Sequence, residues 1–260
     1  MVRPLSTIVL QLERQLKIMN LLGRSQAATI VELAGTFRVS QNTIRRDLRA
    51  LAEKGFLSLA HGGAVLNRQV PMGAPLSQRE ISHIQEKRAI GLKAAGMIGE
   101  GQAIILDAGT TTEQIAMALK ERRSLTVITN AINIAGQLQG AAGVTVVLTG
   151  GILNEVTGCV AGFHAEQFVG QFHAEKAFIS AGGVTVESVT NTNAFEVQIK
   201  RRMMAAADES FLVVSHFKLG KTSLVPFARP GDFRAILTDA GADAEAVEGL
   251  RALGVEVILC

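Results

Sequence analysis

Residues 39–51 read VSQNTIRRDLRAL, a stretch with the periodicity of a helix that has two unlike faces. Ser40 is a favourable N-cap, so the helix is expected to begin there and to run toward Gly55. At about 100° per residue, Ile44, Leu48 and Leu51 fall on one apolar stripe. This stripe needs other elements to cover it, and the neighbouring sequence supplies them.

The opposite face of this helix carries side chains suited to reading DNA bases. The residues on this face and at its flanks are Gln41, Asn42, Thr43, Arg45, Arg46 and Arg49. Arginine matches guanine edges, asparagine and glutamine match adenine, and the start of a recognition helix lies nearest the bases. We predict that these residues bind DNA together with Ser40, whereas Asp47 is expected to be an internal ion-pair partner. The alternative is a helical bundle with a solvated basic face and no nucleic acid.

Two further helices are predicted before this stretch, and they would cover its apolar stripe. The first spans residues 12–23, where leucine and methionine recur at helical spacing and a glycine follows. The second spans residues 29–37, with Thr29 as N-cap and Glu32 at the matching position of a capping box. Only a tight helix–helix corner fits between the second helix and the third.

Residues 55–65 predict two short strands with a turn at His61-Gly62-Gly63. Such a pair after a recognition helix is a wing, and we include His61 among the predicted DNA-binding residues. Residues 1–66 are therefore predicted to form a winged helix-turn-helix domain, with the motif at about residues 28–47.

The charge distribution favours a polyanionic partner for this domain. Residues 1–70 carry ten Lys and Arg against four acidic residues, a net charge of +6. The rest of the chain carries sixteen against nineteen, a net charge of −3. A basic module joined to a mildly acidic one is typical of a nucleic-acid-binding domain attached to a domain of another kind.

Composition excludes several other classes of protein. The 260 residues are 48% hydrophobic and 19% charged, which excludes wholesale disorder. No run approaches the roughly 18 apolar residues of a membrane span, and no signal-peptide pattern opens the chain. Two cysteines and five histidines show neither a disulfide framework nor metal-ligand spacing. We expect a cytoplasmic protein without a metal, a cofactor or a membrane partner.

The remainder of the chain has the pattern of a parallel α/β domain. Residues 67–84 lack a clear period and predict a linker that leads into a helix from about residue 77 or 86 to 98. The strands predicted after it are 103–107, 125–129, 144–149, 176–180, 211–215, 234–238 and 255–259. The helices predicted between them are 111–121, 131–138, 166–172, 194–207 and 243–253. Near-continuous apolar strands separated by helices predict a parallel sheet covered on both faces, built from residues 85–260.

The carboxyl ends of these strands are the expected ligand site, because they meet at one edge of a parallel sheet. After the first strand, the backbone N–H groups of residues 109–112 at a helix N-terminus would form a phosphate cradle. Lys218, after the fifth strand, would add positive charge. Asp107 is expected to organise the loop or to accept a ligand hydroxyl. Glu196 and Lys200 are four residues apart, a spacing that by itself favours a surface pair.

The motif VSxxTIRRDL at residues 39–48, followed by LAEKG at 51–55 and HGGA at 61–64, resembles the DeoR-type, glycerol-3-phosphate-repressor-like family of bacterial transcriptional regulators. The resemblance continues to the C-terminus. It implies a winged helix-turn-helix and a sensor domain whose fold is similar to that of ribose-5-phosphate isomerase. In this family the sensor binds a phosphorylated sugar or polyol, and the usual sense of regulation is repression that the ligand relieves.

The resemblance also implies the effector-binding residues. The positions that match the family's sensor pattern are Asp107, Gly109, Thr110, Thr111, Thr129, Asn130, Gly150, Gly151, Glu196, Lys200 and Lys218. Thr112, the last residue of the cradle, is added to this set. In the family, Glu196 and Lys200 line the effector pocket. The family usually reads Asp-[His/Ser]-Ser-Lys-x-Gly at the fifth strand end, whereas this chain has Ser215-His216-Phe217-Lys218. The departure removes a carboxylate and a hydroxyl from the implied ligand contacts.

The main hypothesis is a repressor that binds a double-stranded DNA operator of a carbohydrate or polyol operon and has no enzymatic activity. A homodimer or homotetramer is expected, because one recognition helix reads too few base pairs. An alternative is a sugar-phosphate isomerase-like enzyme with a DNA-binding segment, for which Asp107, Glu196 and Lys200 are the candidate acid–base groups. A scaffold without a ligand is a third possibility.

Overall fold

The computed structural model describes residues 11, 14, 15, 17–19, 21, 22, 25, 27–53, 57–66 and 74–260. Contacts within the chain divide it into two compact units, residues 1–84 and 85–260. The smaller unit has one hydrophobic core, and the larger unit has two, one on each face of its main sheet.

Most of the described residues of the N-terminal unit are helical. The described residues between 11 and 25 are helical, α1 spans Ile30–Phe37, and α2 spans Gln41–Glu53. The apolar stripe predicted for the third helix is buried in the core, where Ile44, Leu48 and Leu51 pack with residues of the other two helices. The predicted second and third helices are confirmed. Some predicted positions of the first helix and the wing lie outside the described residues, namely Leu12, Leu16, Gly23, Gly55 and Phe56.

Side-chain caps fix where α1 and α2 begin. The Thr29 hydroxyl accepts a hydrogen bond from the Glu32 amide at 3.2 Å, and the Glu32 carboxylate accepts one from the Thr29 amide at 2.8 Å. This is the predicted capping box. The hydrogen bonds from the Thr29 backbone and hydroxyl hold the pKa of Glu32 below its ordinary value. Ser40 caps α2 in the predicted manner, because its hydroxyl accepts from the Thr43 amide at 3.1 Å.

The wing is a three-stranded antiparallel sheet rather than the predicted pair. The predicted hairpin consists of β2, Leu57–Ala60, and β3, Gly63–Leu66. A further strand, β1 at Ala27–Thr29, pairs with β3 on its other side. A Cβ at Gly63 would lie 2.4 Å from the Ala28 carbonyl oxygen, so this close strand pairing requires glycine.

The helix predicted from about residue 77 or 86 to 98 is two helices. They are α3, Leu76–Ile81, and α4, Ile84–Gly96. His83 separates them with a positive φ of 50°, a conformation that does not continue a helix. Ile81 packs against the core of the N-terminal unit. Residues 67–73 of the predicted linker lie outside the described residues.

A seven-stranded parallel sheet forms the centre of the C-terminal unit. Its strands are β4 Ala103–Leu106, β5 Leu125–Thr129, β6 Val144–Leu148, β9 Ala174–Ile179, β12 Ala207–Val213, β14 Ala235–Thr238 and β15 Glu256–Leu259. Their order across the sheet is β15-β14-β12-β9-β4-β5-β6. Each corresponds to a predicted strand, so the predicted parallel sheet is confirmed.

Five helices connect these strands. They are α5 Thr110–Ala118, α6 Ile132–Leu138, α7 Phe163–Val169, α8 Val197–Ala205 and α9 Ala244–Ala252. The predicted positions are right, but α7 begins three residues earlier than predicted, and a short 3-10 helix at Ala194–Glu196 precedes α8. None of the described helices has both the length and the apolar character that crossing a membrane requires.

Two small antiparallel sheets were not predicted. One is a hairpin of β7, Ile152–Asn154, and β8, Cys159–Ala161. The other consists of β10 Gly183–Val184, β11 Val189–Asn191 and β13 Val225–Ala228. Four of these five strands have only two or three residues, too few to show the alternation by which a strand is recognised in a sequence.

Candidate functional site

The predicted reading face of α2 is presented to solvent. Seven of the eight predicted DNA-binding residues are exposed and Thr43 is half-buried. The exposed residues are Ser40, Gln41, Asn42, Arg45, Arg46, Arg49 and, in the turn of the wing, His61. The Arg45 guanidinium donates to the Asn42 side-chain oxygen at 3.0 Å and to that of Gln41 at 3.3 Å. These contacts hold three candidate base-reading side chains together on one turn of the helix.

Asp47 has the structural role that was predicted for it. Its side chain is completely buried and forms an ion pair with Arg14, with 2.5 Å between Oδ2 and Nε. Gln15 donates to the other carboxylate oxygen at 3.4 Å. The carboxylate therefore joins α2 to the first helix of the unit, which contains Arg14 and Gln15, and stays away from the basic face.

The loop after β4 brings backbone and hydroxyl groups into a narrow space at the carboxyl edge of the sheet. A Cβ at Gly109 would lie 3.1 Å from both the Ser180 and Thr112 hydroxyl oxygens. The Thr112 hydroxyl donates to the Gly109 carbonyl at 3.0 Å. Thr110 and Thr111 open α5 and are buried with Thr112. Amide groups in the first turn of a helix have no partner within the helix and favour an anion, so this loop fits the predicted phosphate cradle.

Asp107 and Lys200 form a buried ion pair beside this loop. Both side chains are only 1% exposed. Asp107 Oδ2 also accepts from the Ser180 backbone N–H at 2.9 Å and from the Ser180 hydroxyl at 2.7 Å. Lys200 Nζ donates to the Ser180 carbonyl at 3.1 Å. Asp107 thus organises the end of β9 rather than its own loop.

Glu196 does not pair with Lys200, so the surface pair suggested by their spacing is wrong. Glu196 is buried, and its carboxylate accepts from the Thr157 hydroxyl at 2.7 Å and from the Asn191 side chain at 3.1 Å. The 3-10 turn that ends at Glu196 points this side chain toward the β7–β8 hairpin, whereas Lys200 reaches the end of β4.

The residues at the carboxyl end of β5 are packed into the molecule. The Thr129 hydroxyl donates to the Leu106 carbonyl at 2.7 Å and accepts from the Ala131 amide at 3.1 Å, so it holds neighbouring backbone together. Asn130 is fully buried, and its side-chain nitrogen donates to Cys159 Sγ at 3.1 Å.

The β7–β8 hairpin covers this end of the sheet. The Val160 amide donates to the Asn130 carbonyl at 2.7 Å, and the Ile132 amide donates to the Gly158 carbonyl at 3.1 Å. Gly151, where the hairpin begins, has a φ of 130°, and a Cβ there would lie 2.7 Å from the Ala161 carbonyl oxygen. Gly151 therefore shapes the entry into the hairpin, while the neighbouring Gly150 is exposed.

The end of β12 carries Lys218 and two residues that depart from the family pattern. Lys218 Nζ is 2.6 Å from the Ala181 carbonyl oxygen, which places the ammonium group near the end of β9. Ser215 is fully buried, and the half-buried Phe217 ring packs edge-on against His216.

A contact between His216 and Asp239 was not predicted. Asp239 follows β14, and its Oδ2 lies 2.6 Å from His216 Nδ1 while its Oδ1 accepts from the His216 amide at 2.8 Å. The two residues are far apart in sequence, and no local pattern marks the pair. A carboxylate is therefore present beside this strand end, although residue 215 is not acidic.

The site as a whole is suited to binding an anion. A helix N-terminus, buried hydroxyls and the ammonium group of Lys218 surround the ends of β4, β9 and β12, whereas Asp107 neutralises the charge of Lys200. The carboxylate of Asp107, one of the acid–base candidates for an isomerase, is engaged by Lys200 and Ser180. The fold thus defines a winged helix-turn-helix protein with a larger α/β unit that carries the candidate ligand site.

Comparison with known families agrees with this class. A family model of the DeoR-like helix-turn-helix domain matches residues 14–70, and one of the DeoR C-terminal sensor domain matches residues 82–240. The chain belongs to the DeoR family of transcriptional regulators.

Several proteins that align with almost the whole chain are named as transcriptional regulators. YulB, an HTH-type transcriptional regulator from Bacillus subtilis, is 35% identical and the alignment covers 94% of this chain and 95% of YulB. The transcriptional repressor AccR of Agrobacterium fabrum is 36% identical over 88% of this chain and 90% of its own. The glycerol-3-phosphate regulon repressor of Escherichia coli is 30% identical over 96% of this chain and 99% of its own. The family and these relatives identify the protein as a DNA-binding transcriptional regulator and not an enzyme.

Solved structures give a weaker likeness that concerns the fold alone. Ribose 5-phosphate isomerase A from Methanocaldococcus jannaschii aligns with a TM-score of 0.39 and 14% identity, over 53% of this chain and 55% of the isomerase.

Proposed function

We propose that this protein represses an operon of carbohydrate or polyol metabolism and leaves its operator when a phosphorylated sugar or polyol binds the C-terminal unit. The observation that carries the proposal is the exposed row of Arg45, Arg46 and Arg49 on α2, a helix whose other face is fully packed. Residues 1–66 bind DNA, residues 67–84 link the two parts, and residues 85–260 sense the effector. The protein acts in the cytoplasm, where its DNA is.

DNA binding draws on both the helix and the wing. Contacts to phosphates supply most of the affinity and make it sensitive to salt, whereas base contacts from the start of α2 supply specificity. The base-reading and flanking residues are Ser40, Gln41, Asn42, Thr43, Arg45, Arg46, Arg49 and His61. Two recognition helices are needed for a genomic site, so the protein binds as a homodimer or as a homotetramer built from such dimers.

The effector binds at the carboxyl edge of the seven-stranded sheet. Its phosphate accepts hydrogen bonds from the amides of residues 109–112 and from the hydroxyls of Thr110 and Thr111, with Lys218 nearby. The other residues of the site are Asp107, Thr129, Asn130, Gly150, Gly151, Glu196 and Lys200. Several of these shape the site rather than contact the ligand: Asp107 and Lys200 neutralise each other, and the Thr129 hydroxyl already has partners. For release, the effector must bind the DNA-free state more tightly than the DNA-bound state.

The test is binding of the full chain to the promoter region upstream of its own gene and neighbouring genes, titrated with a panel of sugar and polyol phosphates. We expect specific binding that one or a few phosphorylated compounds reverse. Binding that every compound leaves unchanged contradicts the proposed class of effector, and absence of specific binding contradicts the proposed role of α2.

Replacing Lys218 with alanine is expected to leave operator binding unchanged. It is expected to raise the effector concentration that is needed for release by about 10- to 100-fold. The reason is the loss of a charge-assisted hydrogen bond to the phosphate, which typically contributes about 1.5–3 kcal/mol. Operator release measured by fluorescence anisotropy checks this result. Lys93→Ala, at an exposed lysine of α4, is the matched control. Equal release of the parent and Lys218→Ala removes this lysine from the effector site.

A further inference from the structure

Enclosed polar atoms without a partner collect at the carboxyl ends of β5 and β6. Asn130 Oδ1, Thr149 Oγ1 and both amide atoms of Asn133 are shielded from solvent and have no hydrogen-bond partner among the described residues. Asn130 is 0% exposed and Thr149 is 3% exposed. Buried polar groups are nearly always hydrogen-bonded, because burial without a partner costs free energy. Several such groups in one place indicate a site that binds a polar group.

These three residues are neighbours in the fold. Thr129 and Leu148 are paired in register on β5 and β6, so Asn130 and Thr149 are the next residues on adjacent strands. The Thr149 amide donates to the Thr129 carbonyl at 2.9 Å, which continues the ladder to this point. Asn133 lies in the first turn of α6, a helix that packs against β6. The β7–β8 hairpin lies above them through its contacts with Asn130 and Ile132.

The donors and acceptors of this cluster suit hydroxyl groups. Two carboxamides and a hydroxyl both donate and accept hydrogen bonds and carry no charge. A sugar or polyol hydroxyl needs that combination, whereas a phosphate is bound better by amides and cations. Residues 109–112 supply such amides at the end of β4, on the other side of β5.

We propose that Asn130, Asn133 and Thr149 form a hydroxyl-binding subsite for the carbon chain of the effector, in addition to its phosphate site. Neighbouring strands are about 4.8 Å apart, so the end of β6 lies roughly 10 Å from the end of β4. An extended polyol phosphate of five or six carbons presents hydroxyls along the whole of this distance, whereas a three-carbon phosphate carries only two hydroxyls, both close to its phosphate. The effector class is therefore a pentose- or hexose-sized polyol or open-chain sugar phosphate. This inference rests on the proposed function, because it assigns the phosphate and the carbon chain of the proposed effector to two parts of the same site.

The β7–β8 hairpin must move for a ligand to reach this subsite, since the polar atoms are enclosed. The hairpin is also joined to Glu196 by the hydroxyl of Thr157. Entry of a ligand therefore moves a segment that contacts both β5 and the 3-10 turn before α8.

Thr149→Val is the central test, because it removes one hydroxyl and keeps the shape of the side chain. The probes are glucitol 6-phosphate, mannitol 1-phosphate, xylitol 5-phosphate, glycerol 3-phosphate and inorganic phosphate, titrated calorimetrically into the full chain. We expect one of the five- or six-carbon compounds to bind the parent at least about tenfold more tightly than glycerol 3-phosphate. Thr149→Val is expected to lower the affinity for that compound by about tenfold and to leave the affinity for inorganic phosphate unchanged.

Thermal unfolding of the same variant separates the proposal from a structural role. If the hydroxyl lacks a partner in the free protein, Thr149→Val keeps or raises the melting temperature. Thr145→Val is the matched control, because Thr145 is exposed on the same strand. Asn133→Ala is a second variant, for which we expect the same selective loss of the polyol phosphate.

Two results overturn the subsite. A lower melting temperature of Thr149→Val with unchanged affinity for every probe would mean that a structural water occupies the cluster. Release of the operator by a three-carbon phosphate alone contradicts the length argument and leaves the proposed repressor function intact. Failure of every phosphorylated compound to release the operator contradicts the proposed function itself.

Discussion

Replacing Lys200 with methionine is expected to lower the free energy of unfolding of the C-terminal unit by about 3–5 kcal/mol. The substitution leaves the Asp107 carboxylate buried at 1% exposure without its cation. Burial of an unpaired charge costs far more than the removed side chain contributes by packing. The chain contains neither Trp nor Tyr, so circular dichroism under chemical denaturation is the suitable measurement. Hydrogen exchange of the β4 and β9 amides assigns the loss to this unit.

A second substitution tests the electrostatic origin of the effect. Lys200→Met combined with Asp107→Asn should recover part of the lost stability, because it removes the unpaired charge. Arg202→Met lies on the same helix at an exposed position and should change the stability by less than about 0.5 kcal/mol. A loss below about 1 kcal/mol for Lys200→Met would show that water reaches Asp107 in the folded protein.

Replacing Arg46 with alanine is expected to weaken binding to the specific operator by about 5- to 150-fold per recognition helix, which corresponds to roughly 1–3 kcal/mol. Arg46 lies at the centre of the exposed face of α2 and has the geometry for a bidentate contact with guanine. In a two-fold complex both helices lose the contact, so specific binding falls toward the level of non-specific DNA. Fluorescence anisotropy with operator and random-sequence duplexes at constant salt measures both affinities.

The comparison of the two duplexes makes the test specific to base reading. Arg46→Ala should weaken operator binding much more than binding to random DNA. Arg202→Ala removes an exposed charge from the C-terminal unit and is expected to leave both affinities unchanged. An Arg46→Ala protein that binds its operator as tightly as the parent would disprove the assignment of the reading face.

The sequence predicted those elements that local patterns determine. Each strand of the central sheet is a short apolar run because parallel strands are buried on both faces, and all seven were found. The capping box of Thr29 and the two faces of α2 are also local properties. The resemblance to the DeoR family added the candidate effector residues. The contacts of these residues with an effector, and those of the α2 and wing residues with DNA, remain predictions.

Contacts between distant segments could not be read from the sequence. The spacing of Glu196 and Lys200 indicates a surface pair, but tertiary packing buries both and gives each a different partner. The pairing of His216 with Asp239 depends on the order of strands β12 and β14, which no local pattern contains. Asn133 and Thr149 were missed for a similar reason, because each looks ordinary in its own segment.

The separation of the two faces of α2 has a consequence for how such regulators diverge. Packing depends on Ile44, Leu48 and Leu51, and none of these residues reaches the exposed face. Changes at Asn42 or Arg46 are therefore expected to alter the preferred operator without a cost to folding. A duplicated copy of this gene would then acquire a new set of target promoters through a few surface substitutions, while its architecture is inherited unchanged.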